Sequence, residues 1–356
     1  MVSIDDVARL AKVSPATVSR ALRGIANVAP DKDRAVHEAA AQLGYVPSVT
    51  AHALATGQSL NIGVLSPNVN SWFYSQVLDG IQNVLAHAGY DLTLYCLGAD
   101  EDERRRAFFE DLMPRRRLDG IITVAVNLEP ENVANLTRID CPFVCVGSRL
   151  EGVQTLCVDD YKVGQLAARH LIELGHTRFG HIGGSPRLET DSTDPNQRTK
   201  GFIAAIEDTG LHIDADWFRD GDFSITQGYD QAMSILNNPT HRPSAIFTSG
   251  DEMAFGVLKA ARDLALRVPQ DLSVIGVDNH SLSAFYGLTT IDQSVPQQGR
   301  QSAEALLRII GDKKGKRALV IKDIELPIAL IRRGSTGPAP ESETLPASKR
   351  LSQSQI

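Results

Sequence analysis

Apolar positions recur along this chain in two rhythms, and the change of rhythm divides it. From Ile4 to Leu43 they fall at helical spacing in three short blocks. Ile4, Val7, Ala8 and Ala11 mark the first stripe, with Ser3 ahead of them as an N-cap. A second helix is predicted from Ser14, a capping residue followed by Pro15 at the first helical position, where the missing N–H costs nothing; Val18 and Leu22 form its apolar face. Only Lys12 and Val13 separate these two helices. The third begins after Pro30, carries Val36, Ala39, Ala40 and Leu43, and ends at Gly44. Ser48 to Gly57, with Ala51, Ala53, Leu54 and Ala55, is a small-residue segment with little charge.

From Leu60 onward short apolar runs alternate with longer amphipathic ones. Strands are predicted at Ile62 to Leu65, Leu92 to Cys96, Gly120 to Val124, Phe143 to Val146, Phe179 to Ile182, Ala245 to Thr248 and Val274 to Val277. Helical stretches fall between them at Val77 to His87, Glu103 to Met113, Tyr161 to Leu174, Phe202 to Asp208, Tyr229 to Leu236, Glu252 to Ala265 and Gln298 to Ile310. Such alternation builds parallel sheets flanked by helices, and so many strands favour two doubly wound lobes over one. Ligands of these folds sit outside the carboxyl ends of strands, which places a site in the cleft between lobes. From Ser335 the Ser, Pro, Glu and Thr content predicts a disordered tail.

Composition narrows the class. Of 356 residues, 42% are apolar and 22% charged, an ordinary globular mix, and no apolar run has the length of a membrane span. Asp5 and Asp6 near the start do not read as a secretory signal, so a cytoplasmic location is expected, with no membrane partner. The net charge of -7 argues against broad attraction to a polyanion. Even the first 57 residues are nearly balanced, with Arg9, Lys12, Arg20, Arg23, Lys32 and Arg34 against Asp5, Asp6, Asp31, Asp33 and Glu38. Cys96, Cys141, Cys145 and Cys157 lie in or beside apolar runs at spacings that fit neither a metal knuckle nor a disulfide framework, and all four are expected as reduced core residues. Gly180-His181-Ile182-Gly183-Gly184 lacks the dinucleotide-binding order, and neither a phosphate-binding loop nor a nucleophile elbow occurs. His170, His176 and His181 form no metal triad. The expectation is therefore no enzyme, no cofactor and no metal.

The segment from Ile4 to Leu22, IDDVARLAKVSPATVSRAL, resembles the DNA-binding head of the lactose-repressor (LacI/GalR) family. Gly44-Tyr45-Val46-Pro47 followed by Ala51-His52-Ala53-Leu54 resembles that family's helix end and hinge, and the likeness continues through Leu174-Gly175-His176, Gly201-Phe202, Arg267-Val268-Pro269-Gln270-Asp271, Ile275-Gly276-Val277-Asp278-Asn279 and Arg333-Gly334-Ser335-Thr336. Matches in this order, from about Ser3 to Thr336, imply a small all-α helix-turn-helix head (1–47), a hinge (48–59) and an α/β two-lobed, periplasmic-binding-protein-like effector and dimerisation domain (60–334), with the tail at 335–356. The resemblance implies a repressor that binds a near-palindromic operator as a homodimer under the control of a small molecule, a sugar or sugar derivative.

Its second helix would enter the major groove with its N-terminal residues at base edges. Pro15 and Ala16 offer apolar contact, Arg20 suits a guanine edge or a phosphate, and Thr17 and Ser19 are hydroxyl donors for phosphates. Ser14 is first a cap, and Thr17 fits a capping contact and a DNA contact equally. Asn27 joins the DNA-binding set. Ala51 and Leu54 belong to the hinge, where the family wedges a leucine into the minor groove; packing between domains is the plainer role for Leu54. Ser48 and His52 depart from the family's usual asparagine and arginine, which implies fewer phosphate contacts.

In the effector domain, Trp72 and Phe73 match an aromatic loop that stacks on a sugar or base, Arg198 an arginine that grips ligand oxygens, and Asp278 an acid that accepts ligand hydroxyls. Asp159, Phe223, Asp251 and Gln293 match further lining positions, as does Arg149, whose Gly147-Ser148-Arg149 context lacks the usual acidic neighbour. Lobe packing by Trp72 or Phe73, and a direct Arg198–Asp278 pair, are the alternatives. The loop from Pro186 to Asn196 is longer than usual and leaves the ligand open.

Overall fold

A computed structural model of the chain describes residues 2–22, 28–45, 58–98, 106, 108–112, 118–126, 128, 130–147, 150, 152–184, 195–314 and 322–343. The chain divides into two compact units, Met1–Leu60 and Asn61–Ile356.

The first unit holds α1 (Ile4–Leu10), α2 (Pro15–Leu22) and α3 (Pro30–Leu43). At the start of α1 the Ser3 hydroxyl accepts from the Asp6 N–H, while the Asp6 carboxylate accepts from the Ser3 N–H at 3.0 Å, so two orphan donors are satisfied reciprocally. Lys12, at φ +54°, makes the tight turn into α2. α3 stops at Gly44, whose φ of +62° is left-handed. The three helices share a core in which Val7, Val18 and Val36 are fully buried, joined by Ala8, Ala21, Ala39 and Ala40.

In the second unit, β1 (Asn61–Ser66), β2 (Asp91–Cys96), β3 (Gly120–Val124), β4 (Phe143–Val146) and β5 (Gln154–Cys157) form one sheet with β11 (Ile324–Glu325), in the order β11-β5-β4-β3-β1-β2. All its pairings are parallel. β6 (Phe179–Gly184), β7 (Phe218–Gly221), β8 (Ala245–Thr248), β9 (Ser273–Val277), β10 (Thr289–Asp292) and β12 (Ala329–Ile331) form the other, in the order β12-β10-β9-β8-β6-β7, with only the β10–β12 edge antiparallel. Helices α4 (Trp72–His87), α5 (Pro130–Arg138) and α10 (Val295–Lys314) belong with the first sheet; α6 (Asp160–Glu173), α7 (Pro195–Glu207), α8 (Ile225–Leu236) and α9 (Asp251–Asp263) belong with the second. Strands such as β3, β8 and β9 are buried along their whole length because helices cover both faces.

The chain passes between lobes three times, at 158–159, 293–294 and 326–328, because β10 is followed by α10 and then β11 in the first lobe before β12 returns to the second. Asp159 and Gln293 lie on these crossovers.

The structure corrects several expectations. β5, β7, β10, β11, β12 and α5 were not predicted, being short or mixed in polarity. In place of a helix over Glu103 to Met113, the described part is a π-helical turn at Phe108–Leu112. Cys145 and Cys157 are core residues, but Cys96 is exposed and Cys141 only partly buried. Order also continues past the expected start of the tail. Ser335 is 2% exposed, with its hydroxyl donating to the Val274 carbonyl at 2.6 Å. Further on, the Glu343 carboxylate accepts from the Thr177 and Arg178 N–H groups at 2.9 and 2.6 Å. That strap closes over His176, which is fully buried and bonded to Ser244, Ser273 and the Gly337 carbonyl.

Candidate DNA-reading and effector sites

On the head, Ser14, Pro15, Ala16 and Arg20 are exposed while Thr17 and Ser19 are half-buried. Val18 and Ala21 face the core, so the polar and exposed residues of α2 lie on its opposite side. Ser14 Oγ accepts from the Thr17 N–H at 3.2 Å and lies 2.9 Å from Thr17 Oγ1. The capping role therefore engages both hydroxyls. Arg20 Nε donates to the Ala16 carbonyl at 3.2 Å, which fixes the base of the guanidinium on the helix. Asn27, Ala51 and Leu54, with Ser48 and His52, lie outside the described residues.

The candidate effector site is built around Arg198 on α7. α6 and α7 cross closely because both are glycine at the contact: a methyl group at Gly201 would collide with the Tyr161 carbonyl, and one at Gly164 with the Arg198 carbonyl. This approach brings Arg198 to the start of α6, where its Nε donates to Asp160 Oδ1 at 2.6 Å. Nη1 donates to the Ser249 carbonyl at 2.7 Å and Nη2 to Gln293 Oε1 at 3.2 Å. Gln293 Nε2 in turn donates to Asp278 Oδ1. Gln298 Nε2 steadies the crossover through the Gln293 carbonyl at 2.9 Å. Thus Arg198 and Asp278 are joined through Gln293, not paired directly. Burial works against the Arg198 charge, yet Asp160 and Asp278 raise its pKa above the ordinary value.

Asp278 follows β9 at φ +117°. Burial raises its carboxyl to about 7, against the pull of Arg198 and the Gln293 hydrogen bond. Asp251, at the start of α9, is fully buried and accepts from the His280 N–H, the Ser283 hydroxyl and the Thr290 hydroxyl at 2.9, 2.6 and 2.7 Å. Burial, with the neighbouring Asp278 charge, pushes it up to about 8 despite those donors. It orients the loop that carries Asp278. Gly250 lies between Phe223 and Asp278: a Cβ there would be 3.3 Å from the Phe223 ring and 3.5 Å from Asp278 Oδ2.

Trp72 reaches this side from the other lobe. Its ring centroid is 4.7 Å from that of His280, and its N–H donates to Glu252 Oε2 at 3.2 Å, beside the Ser71 hydroxyl at 3.3 Å. These contacts clasp the lobes together. Phe73 packs edge-on to Tyr74, against the core of the first lobe. Asp159 caps α6 through the Lys162 N–H at 3.0 Å and pairs with Lys162 Nζ at 2.8 Å, leaving the Arg198 contact to Asp160. Arg149 and most of the Pro186 to Asn196 loop lie outside the described residues. Asp160, Ser249 and Gln298 were missed by the sequence reading, because nothing in a lone polar residue beside a strand or helix end distinguishes it from an ordinary cap. Among the described residues, Asp214, Asp216 and His241 stand within chelating reach of one another, with His241 Nε2 3.2 Å from Asp214 Oδ2.

A model of the bacterial regulatory proteins of the lacI family matches residues 3–48, and one of the periplasmic binding protein-like domain matches 168–336. The HTH-type transcriptional repressor PurR of Pasteurella multocida (strain Pm70) is 32% identical over 335 residues, spanning 92% of this chain and 98% of that protein. The chain belongs to the LacI family of bacterial regulatory proteins. A PurR of Haemophilus influenzae (strain PittEE) is also 32% identical, over 88% of this chain and 92% of its own length. The solved Lac repressor dimer bound to operator and the anti-inducer ONPF superposes with a TM-score of 0.82 at 27% identity, covering 94% of this chain and 99% of that one. This LacI-family chain is thus a DNA-binding transcriptional repressor with a helix-turn-helix head and a two-lobed periplasmic-binding-protein-like domain, and not an enzyme. No helix among its described residues is long and apolar enough to cross a membrane.

Proposed function

We propose that this repressor binds a near-palindromic operator as a homodimer, in the cytoplasm, and that a sugar or sugar derivative in the cleft between its lobes controls the binding. The observation that carries the effector reading is the Arg198–Gln293–Asp278 network, a cation and a carboxyl joined by an amide at the carboxyl ends of β8 and β9 and on a crossover between lobes. An arginine fork and carboxyl oxygens together offer several fixed donors and acceptors, which suits a compact polyhydroxylated ligand. Phe223 adds an apolar edge beside Asp278.

Dimerisation is supported by an apolar patch that a monomer would leave wet: Leu282, Phe285 and Tyr286 are 45%, 82% and 54% exposed on one turn. Phe285 and Tyr286 stack edge-on, and Tyr286 is backed by Phe255 at 5.2 Å. Aromatic residues displayed on a firm base are characteristic of interface anchors, and the superposed Lac repressor is a dimer. On the head, α2 offers Pro15 and Ala16 to base edges, Arg20 to a guanine edge or a phosphate, and Thr17 and Ser19 to phosphates, with Ser14, first a cap, at the same helix start. Asn27, Ala51 and Leu54 complete the proposed DNA-binding set, while Trp72, Phe73, Arg149, Asp159, Phe223 and Asp251 accompany Arg198, Asp278 and Gln293 around the cleft.

Selection of duplexes from a random library by the full-length protein tests the operator reading. A single near-palindromic motif should be enriched; recovery of no common motif would contradict it. Thermal-shift screening against monosaccharides, nucleobases and sugar phosphates tests the effector class, because a ligand bound only by the native state raises its melting temperature.

A further inference from the structure

Ser249 directly follows β8, where its N–H donates to the Ile182 carbonyl at 3.0 Å and its carbonyl accepts from Arg198 Nη1 at 2.7 Å. Both backbone groups are satisfied. Its side chain is not: the residue is fully buried, and Oγ has no hydrogen-bond partner. Two residues earlier, Phe247 packs its ring against Phe202 of α7. Ser249 itself lies one residue past β8, and the contact of its carbonyl with Arg198 Nη1 puts it beside the arginine of α7.

An orphan hydroxyl at this point has a consequence. A buried polar group that has lost its water and found no partner destabilises the folded protein by its full desolvation, and alanine would pack there without that penalty. Serine at such a position is accounted for when a molecule that comes and goes supplies the missing partner. Ser249 meets that condition: its own carbonyl is bound by the arginine of the proposed effector network, and it occupies the strand end where ligands of doubly wound folds sit. We propose that Ser249 is an effector-binding residue, whose hydroxyl exchanges a hydrogen bond with a hydroxyl of the bound sugar and so discriminates in favour of polyhydroxylated ligands. The inference rests on the cleft being the effector site.

Ser249→Ala separates stability from binding. Removing the orphan hydroxyl should leave the ligand-free protein as stable as the wild type or more so, while weakening the effector about five- to tenfold, the loss of one hydrogen bond. Full-length wild type, Ser249→Ala and Arg198→Lys are melted with and without D-glucose, D-galactose, D-ribose, D-xylose and myo-inositol, and calorimetric titration gives Kd for each compound that shifts the wild type. Arg198→Lys keeps the charge beside Asp160 but loses the three-way fork, and it reports on the cleft itself. Weaker binding by Ser249→Ala with an undiminished ligand-free melting temperature supports the assignment. Wild-type affinity in Ser249→Ala, with binding lost in Arg198→Lys, overturns it and leaves the cleft reading intact; so does a lower ligand-free melting temperature with unchanged affinity. If none of the five compounds shifts the wild type, the sugar reading falls and this assignment falls with it.

Discussion

Arg20 is the one cationic residue of α2. Its Nε is held by the Ala16 carbonyl, so the terminal nitrogens project from a fixed base. A positioned guanidinium can bond one base edge bidentately, a contact that discriminates by about 1–3 kcal/mol. Arg20→Ala should therefore weaken the selected operator by roughly tenfold or more in fluorescence anisotropy, with a smaller effect on unrelated duplexes; equal loss on both would reassign Arg20 to phosphate contact. In the effector domain, Asp251 and Asp278 set a pH dependence. Both carboxyls are raised in the folded state, to about 8 and about 7, so the folded chain holds protons that the unfolded chain releases near pH 4. Their stabilising contribution is complete at low pH and is lost as pH rises through the folded values. Buried His181, depressed to about 4, acts oppositely, but only below its ordinary value near 6.5. Between pH 6.5 and 8 the melting temperature should fall and then level off, and Asp251→Asn should flatten that fall. An equal slope in the variant would contradict the assignment. The identities of Arg198 and Asp278 could be read from the sequence, whereas their connection through Gln293 could not, because it depends on a crossover that brings residue 293 beside a strand ending at 277.

Elements were most legible where periodicity was strong. β3, β4 and β8 begin and end where their apolar runs do, and α1 to α3 follow their stripes and caps. β7 and β11 were invisible because two to four residues of mixed polarity at a sheet edge, such as Phe218–Gly221, carry no period, and β12, though apolar throughout, is only three residues long. The segment from Ser335 misled for a different reason: its polar composition resembles a tail, yet among its described residues Ser335, Thr336 and Glu343 all have partners in the second lobe. Glu343 shows this most clearly. Its side chain is 4% exposed, and it accepts from the Thr177 N–H and hydroxyl and from the Arg178 N–H and guanidinium. Glu343→Ala should lower stability by about 2–3 kcal/mol, since buried donors are left unpaired; a denaturation midpoint equal to the wild type's would restore the tail reading. The clasp between lobes is a second element-scale feature. With Glu252→Ala, the Trp72 amide loses its acceptor and should exchange its hydrogen faster, as the lobes open more often. Unchanged protection of that amide would show that the clasp does not hold the lobes.

At the scale of the molecule, a repressor with a net charge of -7 and a head of six basic against five acidic residues through Gly57 cannot rely on general attraction to DNA. Its operator affinity should fall with salt along a log–log slope shallower than about -6, few phosphates being neutralised. On the proposed function, discrimination falls to α2, and control falls to coupling between effector cleft and operator. A ligand shifts operator affinity only through a difference in its own affinity for the two states, and such couplings span about 5–150-fold. Operator affinity of the full-length protein, measured with and without the sugar that stabilises it, in wild type and in Arg198→Lys, tests this directly. The account predicts a change of at least about fivefold in the wild type and none in Arg198→Lys, which still binds operator. An operator affinity in the wild type that does not respond to the sugar, or a response that survives in Arg198→Lys, would contradict it.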